Sequence, residues 1–204
     1  MTAKLPHVFE TVVHMLKVAA EAAPLATAIK FDNRQLDYQQ YLRCVAGFAC
    51  ELENLDVRGE RVVLICGNSL EMAVAMFAVH AAGAQAVPVN PLYTSRELKP
   101  VLQDADTKAI ILDDSLAGSL APLLDELNIS QRISVGPDSR FLDGWADDPS
   151  ATLPALPSSS DLATLQYTGG TTGVPKGVNI THEQITTNIS QREAMLPTVQ
   201  DDER

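Results

Sequence analysis

From Arg61 to Val135 the sequence alternates short, continuously apolar runs with capped helical stripes, and this alternation restricts the fold more than any other feature. Arg61-Val-Val-Leu-Ile-Cys66 has the pattern of a strand buried on both faces of a sheet. Asn68 with Glu71 reads as a capping box and opens a helix through Met72, Met76 and Val79 to Gly83. Ala86 to Val89 is the next predicted strand. Thr94 with Glu97 starts another helix with Leu98, Val101 and Leu102 inward, and Lys108 to Leu112 follows as strand. Leu116, Leu120, Leu123, Leu124 and Leu127 stripe a further helix, too short for a zipper, before a strand at Arg132 to Val135. Strands alternating with crossover helices predict an α/β fold with a mostly parallel sheet flanked by helices.

Flanking segments extend that frame. Phe9, Val12, Val13, Leu16, Ala19 and Ala20 recur at helical spacing until Pro24, and a hairpin is predicted with Asp32 and Asn33 at its turn. Asp37 with Gln40 then caps a helix whose inner stripe is Tyr41, Val45, Phe48, Leu52 and Leu55. Four prolines, four aspartates and Ser158-Ser-Ser160 make 137–160 read as a long surface connection. Leu162 to Tyr167 is a strand, Val178 to Ile180 a short one, and Thr181 with Gln184 starts the last helix. The expected organisation is a helical and hairpin cap over 1–60, an α/β sheet over 61–136, a linker over 137–160 and a second subdomain over 161–204, whose phosphate segment begins a second sheet.

Composition narrows the class of partner. Fifteen Lys+Arg against 26 Asp+Glu leave a formal charge of −11 over 204 residues, which excludes a general nucleic-acid coat. Cys44, Cys50 and Cys66 are odd in number and lack a CxxC pair, so neither a disulfide framework nor a zinc site is indicated, and reduced, cytoplasmic surroundings are expected. Charged residues interrupt the N-terminal apolar positions before a signal-peptide core forms.

One segment carries chemistry. Residues 168 to 177 read Thr-Gly-Gly-Thr-Thr-Gly-Val-Pro-Lys-Gly, directly after a predicted strand. Glycines let backbone N–H groups converge on an anion, the hydroxyls of Thr168, Thr171 and Thr172 add donors, and Lys176 adds a full positive charge. Between Leu162 and Thr181, Lys176 is the only residue charged at neutral pH. The Walker A spacing is absent, because Lys176 sits between Pro175 and Gly177, and so is the G-x-G-x-x-G fingerprint. A plain mobile Gly/Thr surface loop is the bland alternative.

Tyr167 to Gly177, followed by Val178 and Thr181-His182, resembles the ATP phosphate-binding signature of the adenylate-forming, or AMP-binding, superfamily of acyl-CoA synthetases. His80 to Leu98, containing Asn90-Pro91-Leu-Tyr93, resembles the segment that precedes the acyl-site helix in long-chain fatty-acid CoA ligases, and the Gly169-Gly170 pair favours the same branch. The resemblance implies part of the large N-terminal domain of such an enzyme. It implies that a carboxylate attacks the α-phosphorus of ATP, with magnesium assisting, and that coenzyme A then takes the acyl group. Thr168, Gly169, Gly170, Thr171, Thr172, Gly173 and Lys176 would cradle the β- and γ-phosphates, Lys176 and Thr171 acting on the transition state and Thr172 reaching the metal. Each preorganised donor of this kind is worth on the order of 3–4 kcal/mol of barrier. ATP and a fatty acid are the implied small-molecule partners, without nucleic acid. A homodimer and, in the parent protein, a peripheral contact with the inner membrane face are further expectations.

Only Val178 to Arg204 follows the signature, so the adenine pocket, the magnesium-binding glutamate, most of the acyl tunnel and the mobile domain of the family have no counterpart here. The chain is expected to be an N-terminal piece, inactive alone. A non-catalytic nucleotide- or anion-binding module and a protein-interaction fragment are the alternatives. Cys66-Gly67-Asn68 lacks the nucleophile-elbow frame, so Cys66 reads as core. His7 and His14 lack a third ligand, and His182-Glu183 lacks a second histidine. For His80 packing is the favoured reading. His182, beside the loop at a helix start, reads as packed ahead of a nucleotide contact.

Overall fold

The computed structural model describes residues 7–136, 142–168 and 176–195. Helix α1 (Val12–Ala22) starts where the Thr11 hydroxyl accepts the backbone N–H of His14, and it buries Val12, Val13, Leu16 and Ala20. Strands β1 (Thr27–Phe31) and β2 (Arg34–Asp37) form the predicted hairpin, turning through Asp32 at φ 52°, a left-handed conformation that aspartate tolerates better than most residues. The capping box of α2 (Tyr38–Glu53) is present: an Asp37 oxygen accepts the Gln40 N–H at 2.7 Å, and the Gln40 side chain accepts the Asp37 N–H at 3.1 Å.

The alternating region folds as β3 (Arg61–Ile65), α3 (Leu70–Ala81), β4 (Gln85–Pro88), α4 (Ser95–Asp104), β5 (Ala109–Asp113), α5 (Asp114–Glu126) and β6 (Arg132–Val135). One cap differs from expectation. Ser69, not Asn68, caps α3, its hydroxyl accepting the Met72 N–H at 3.0 Å. Glu71 is then one position too early to close a box, and its side chain goes to Arg34 instead.

Beyond these lie α6 (Asp143–Ala146), β7 (Leu162–Thr168), β8 (Lys176–Thr181) and α7 (His182–Met195). Six strands form one sheet in the order β6-β5-β3-β4-β7-β8, all neighbours parallel except β7 and β8. The expectation of a second sheet is therefore corrected: β7 pairs with β4, Ala86 opposite Thr164, and β8 is the edge of the same sheet.

Period-two alternation divides the central strands between two cores. Val62 and Leu64 of β3 face α1, α2 and α3, with Val45, Phe48, Leu52, Val74 and Ala78. Val63 and Ile65 face α4 and α5, with Leu98, Leu102, Leu120 and Leu124. The α3 and α4 connections run in opposite directions along the sheet and lie on opposite faces, as right-handed crossovers require.

The 137–160 connection differs from the surface loop expected from its prolines. Residues 137–141 lie outside the described residues, but Leu142, Ala146 and Pro157 are buried, and Trp145 stacks on Phe48 of α2 with ring centroids 5.5 Å apart. Gly47 makes this possible, since a Cβ there would run into the indole. Apolar side chains pin the segment where proline and aspartate content suggested none. Among the described residues no helix is long and apolar enough to cross a membrane.

Candidate functional site

Strands β3 to β7 are mutually parallel along the sheet, so the connection leaving β7 opens at the carboxyl edge, where α/β sheets place ligands. β8 returns antiparallel with Thr168 opposite Lys176 and Tyr167 opposite Gly177. The Thr168 hydroxyl donates to the Lys176 carbonyl at 3.4 Å, closing the stem. Of the predicted phosphate-binding residues, the structure thus brings Thr168 and Lys176 together. Gly169, Gly170, Thr171, Thr172 and Gly173 lie outside the described residues.

Three contacts hold the stem. The Tyr167 hydroxyl donates to Asp104 Oδ2 of α4 at 2.6 Å, and burial, followed by that carboxylate, pushes the phenol well above its usual range. Gly177 faces the Tyr167 ring: a Cβ there would lie 2.9 Å from Leu165 Cδ1 and 3.3 Å from Tyr167 Cζ, so the close pairing needs glycine. Deeper in, the Gln85 amide donates to Asn179 Oδ1 at 2.8 Å, tying β8 to β4 across β7. A small cavity of about 170 Å³ lies between the exit of β4, at Val89 and Asn90, and Thr168. Asp104, Gln85 and Asn179 carry no motif. Their roles depend on pairings across 63 and 94 residues, which a linear pattern does not contain.

Helix α7 begins as predicted. Gln184 Oε1 accepts the Thr181 N–H at 2.9 Å and the Thr181 hydroxyl accepts the Gln184 N–H at 3.3 Å. His182, its first residue, is fully buried against His80 of α3, with ring centroids 5.3 Å apart. Burial, and then the neighbouring His182, lower the His80 imidazole to about 3. Burial lowers His182 to about 4 against the opposing pull of Asp161. Both rings are neutral packing groups at physiological pH. His182 faces inward to His80, which supports packing over a nucleotide contact.

The remaining candidates are also located. Cys66 is buried with its thiol raised by burial and by Asp113, which suits a core residue and not a nucleophile. His7 stacks edge-on against Phe9 ahead of α1, and His14 lies near Glu10. Among the described residues no group of three or more His, Cys, Asp or Glu could hold a metal ion.

The stem itself fits a polyphosphate. Lys176 is exposed at its mouth, the Thr168 hydroxyl stands opposite, and no carboxylate occurs between Leu162 and Thr181 to repel an anion. The fit does not extend to a protein-held metal, for which the described stem offers no acidic ligand, so magnesium would arrive with the phosphates.

Known proteins share this sequence and architecture. The family described as AMP-binding enzyme matches residues 16–203. Malpinin synthetase of Mortierella alpina is 32% identical over 184 residues, covering 89% of this chain and 2% of that protein. A long-chain-fatty-acid–CoA ligase of Haemophilus influenzae is 31% identical over 218 residues, covering 90% of this chain and 38% of the ligase. Among solved structures, VinN superposes with a TM-score of 0.84 at 26% identity, over 96% of this chain and 49% of VinN. The chain spans well under half the length of these two curated relatives.

Proposed function

The chain belongs to the AMP-binding enzyme family, and we propose that it is the N-terminal part of an ATP-dependent, AMP-forming long-chain fatty-acid CoA ligase. The observation that carries the proposal is the β7–β8 stem, which sets an exposed Lys176 opposite Thr168 at the carboxyl edge of the sheet, on either side of the Gly/Thr segment. The similarity to a long-chain-fatty-acid–CoA ligase supports the substrate class.

In the proposed reaction a fatty-acid carboxylate oxygen bonds to the α-phosphorus of ATP. The bond to the bridging oxygen breaks, with its electron pair leaving on pyrophosphate. The sulfur of coenzyme A then bonds to the acyl carbon and AMP departs. Lys176 and the hydroxyls of Thr168, Thr171 and Thr172, with the amides of Gly169, Gly170 and Gly173, neutralise charge on the leaving pyrophosphate. Lys176 and Thr171 act on the transition state, and Thr172 would lend its hydroxyl to magnesium arriving with ATP. In a chain of formal charge −11 this task falls on few groups.

The 204-residue chain alone is proposed to be inactive, consistent with its 38% coverage of the ligase. The partition at residues 60, 136 and 160, cytoplasmic residence with a peripheral membrane contact, and self-association through exposed Leu162, Val178 and Met195 belong to the same proposal. The likeness to VinN, also solved in complex with L-aspartate, favours a second reading in which the activated carboxylate is not a fatty acid.

Titration of the chain with ATP tests the site. Lys176→Ala should weaken binding about tenfold or more, one charge-assisted contact being worth ~1.5–3 kcal/mol. Equal affinity for ATP, or no binding by either form, counts against the nucleotide assignment. ATP–pyrophosphate exchange driven by the chain alone with a fatty acid would show it to be a complete catalyst.

A further inference from the structure

Neighbouring strands β3 and β5 send their helices to opposite faces: α3 packs with the α1–α2 side and leads to β4, while α5 packs on the other side and leads to β6. Such a reversal opens a crevice beyond the carboxyl ends of the two strands, the place where open α/β sheets bind ligands. Here it holds a cavity of about 410 Å³ between the segment after β3 and the segment after β5, with the β1–β2 hairpin over it. That volume lies in the ~300–1,000 Å³ range of small-molecule sites. The phosphate-loop stem departs from β7, on the far side of β4 from β3, so the reaction proposed above leaves the crevice unused.

Glu71, on the cavity wall, is 1% exposed. Its Oε1 accepts from Arg34 Nη1 at 2.6 Å, and among the described residues its Oε2 has no hydrogen-bond partner. A buried carboxylate oxygen without a donor is unfavourable, and a ligand N–H would supply what the protein does not.

The charge of the lining selects the ligand. Asp32, Glu71, Asp113 and Asp114 stand against Arg34, a formal balance of 1 − 4 = −3. The N-termini of α3 and α5 together return roughly one positive charge, at about +0.5 each, so an excess of about two negative charges remains. Asp113 is partly engaged, its Oδ2 accepting the Gly67 N–H at 2.8 Å. Phe31, 40% exposed, adds an aromatic ring to the wall, which attracts a cation over its face. A phosphate or carboxylate ligand would be repelled.

We propose that the crevice between the carboxyl ends of β3 and β5 binds a small protonated aliphatic amine, one N–H directed to Glu71 and the charge held by Asp32 and Asp114.

Calorimetric titration with 1,4-diaminobutane at low salt tests this. The protein should bind it saturably, and Asp32→Asn with Asp114→Asn together should weaken binding at least tenfold. Both side chains are exposed, so the pair tests the site without disturbing the core. Glu71→Gln should weaken it as well, and Lys176→Ala should leave it unchanged, which separates this site from the nucleotide assignment. The proposal is overturned by the absence of saturable binding to the wild-type protein, by undiminished affinity in the double variant, or by equal affinity for neutral 1,4-butanediol. It is equally overturned if magnesium ion alone displaces the diamine at comparable concentration, which would make the crevice a site for inorganic cations.

Discussion

Strands β3 and β8 belong to one sheet yet live under opposite regimes. Val62, Val63, Leu64 and Ile65 are fully buried, half of them in each core, whereas β8 at the edge leaves Val178 49% exposed with Lys176, Gly177 and Asn179 open beside it. The interior strand is held by packing on two faces, and the edge strand by its pairing with β7 and by the Gln85–Asn179 hydrogen bond to β4. The edge of the sheet is thus the part that opens at least cost, and the interior strands fix position.

This contrast can be broken or sharpened. The largest effect is expected in the interior: Leu64→Ala should destabilise the fold by about 2–5 kcal/mol, whereas Val178→Ala should stay within ~0.5 kcal/mol, both read from denaturant midpoints at unchanged slope. Similar losses at the two positions would abolish the distinction.

Acid probes the junction between the regimes, because His80 on α3 meets His182 at the start of α7. Both imidazoles lie below their ordinary 6.5 in the folded protein, at about 3 and about 4. The unfolded chain therefore takes up protons first. Their contribution is complete above pH 6.5 and drains away as pH falls towards those values. Between pH 8 and pH 5 each histidine should remove up to about 2 kcal/mol. Denaturation at the two pH values measures it, and His182→Gln should flatten the dependence. A flat profile for the unaltered protein would mean that the pair is not buried as described.

The smallest effect belongs to the stem. Tyr167→Phe removes one hydrogen bond to an exposed Asp104 and should cost about 1 kcal/mol or less overall. Amide exchange at Thr168 and Lys176 should quicken while that of β3 stays unchanged. Uniform quickening would show that stem and interior open together.

Local chemistry made much of this fold legible. The Asp37–Gln40, Thr94–Glu97 and Thr181–Gln184 boxes occur where their spacing placed them, because a cap is decided within four residues. The continuous apolar runs of β3 and β5 marked their burial on both faces. Ser69 against Asn68 was not decidable, since both residues cap well and lie side by side. The single sheet was missed because the pairing of Thr164 with Ala86 joins segments across the whole 137–160 connection, and no residue type encodes a partner at that distance. In the site, Thr168 and Lys176 were legible as a motif, but the Asp104 that steadies Tyr167 was not. Nor was the Arg34–Glu71 pair, whose members are ordinary charged residues until the hairpin folds over α3.

Trp145 is the only tryptophan in the sequence, and it lies against Gly47 and Phe48. Indole fluorescence of this protein therefore reports a single place, the seat of the 142–146 segment on α2. Emission that shifts to the red before circular dichroism changes would mark the undocking of that one strap, and coincident changes would mark it as part of the cooperative unit. The chain thus carries its own optical gauge of how the segment between the sheet's two sides is fastened.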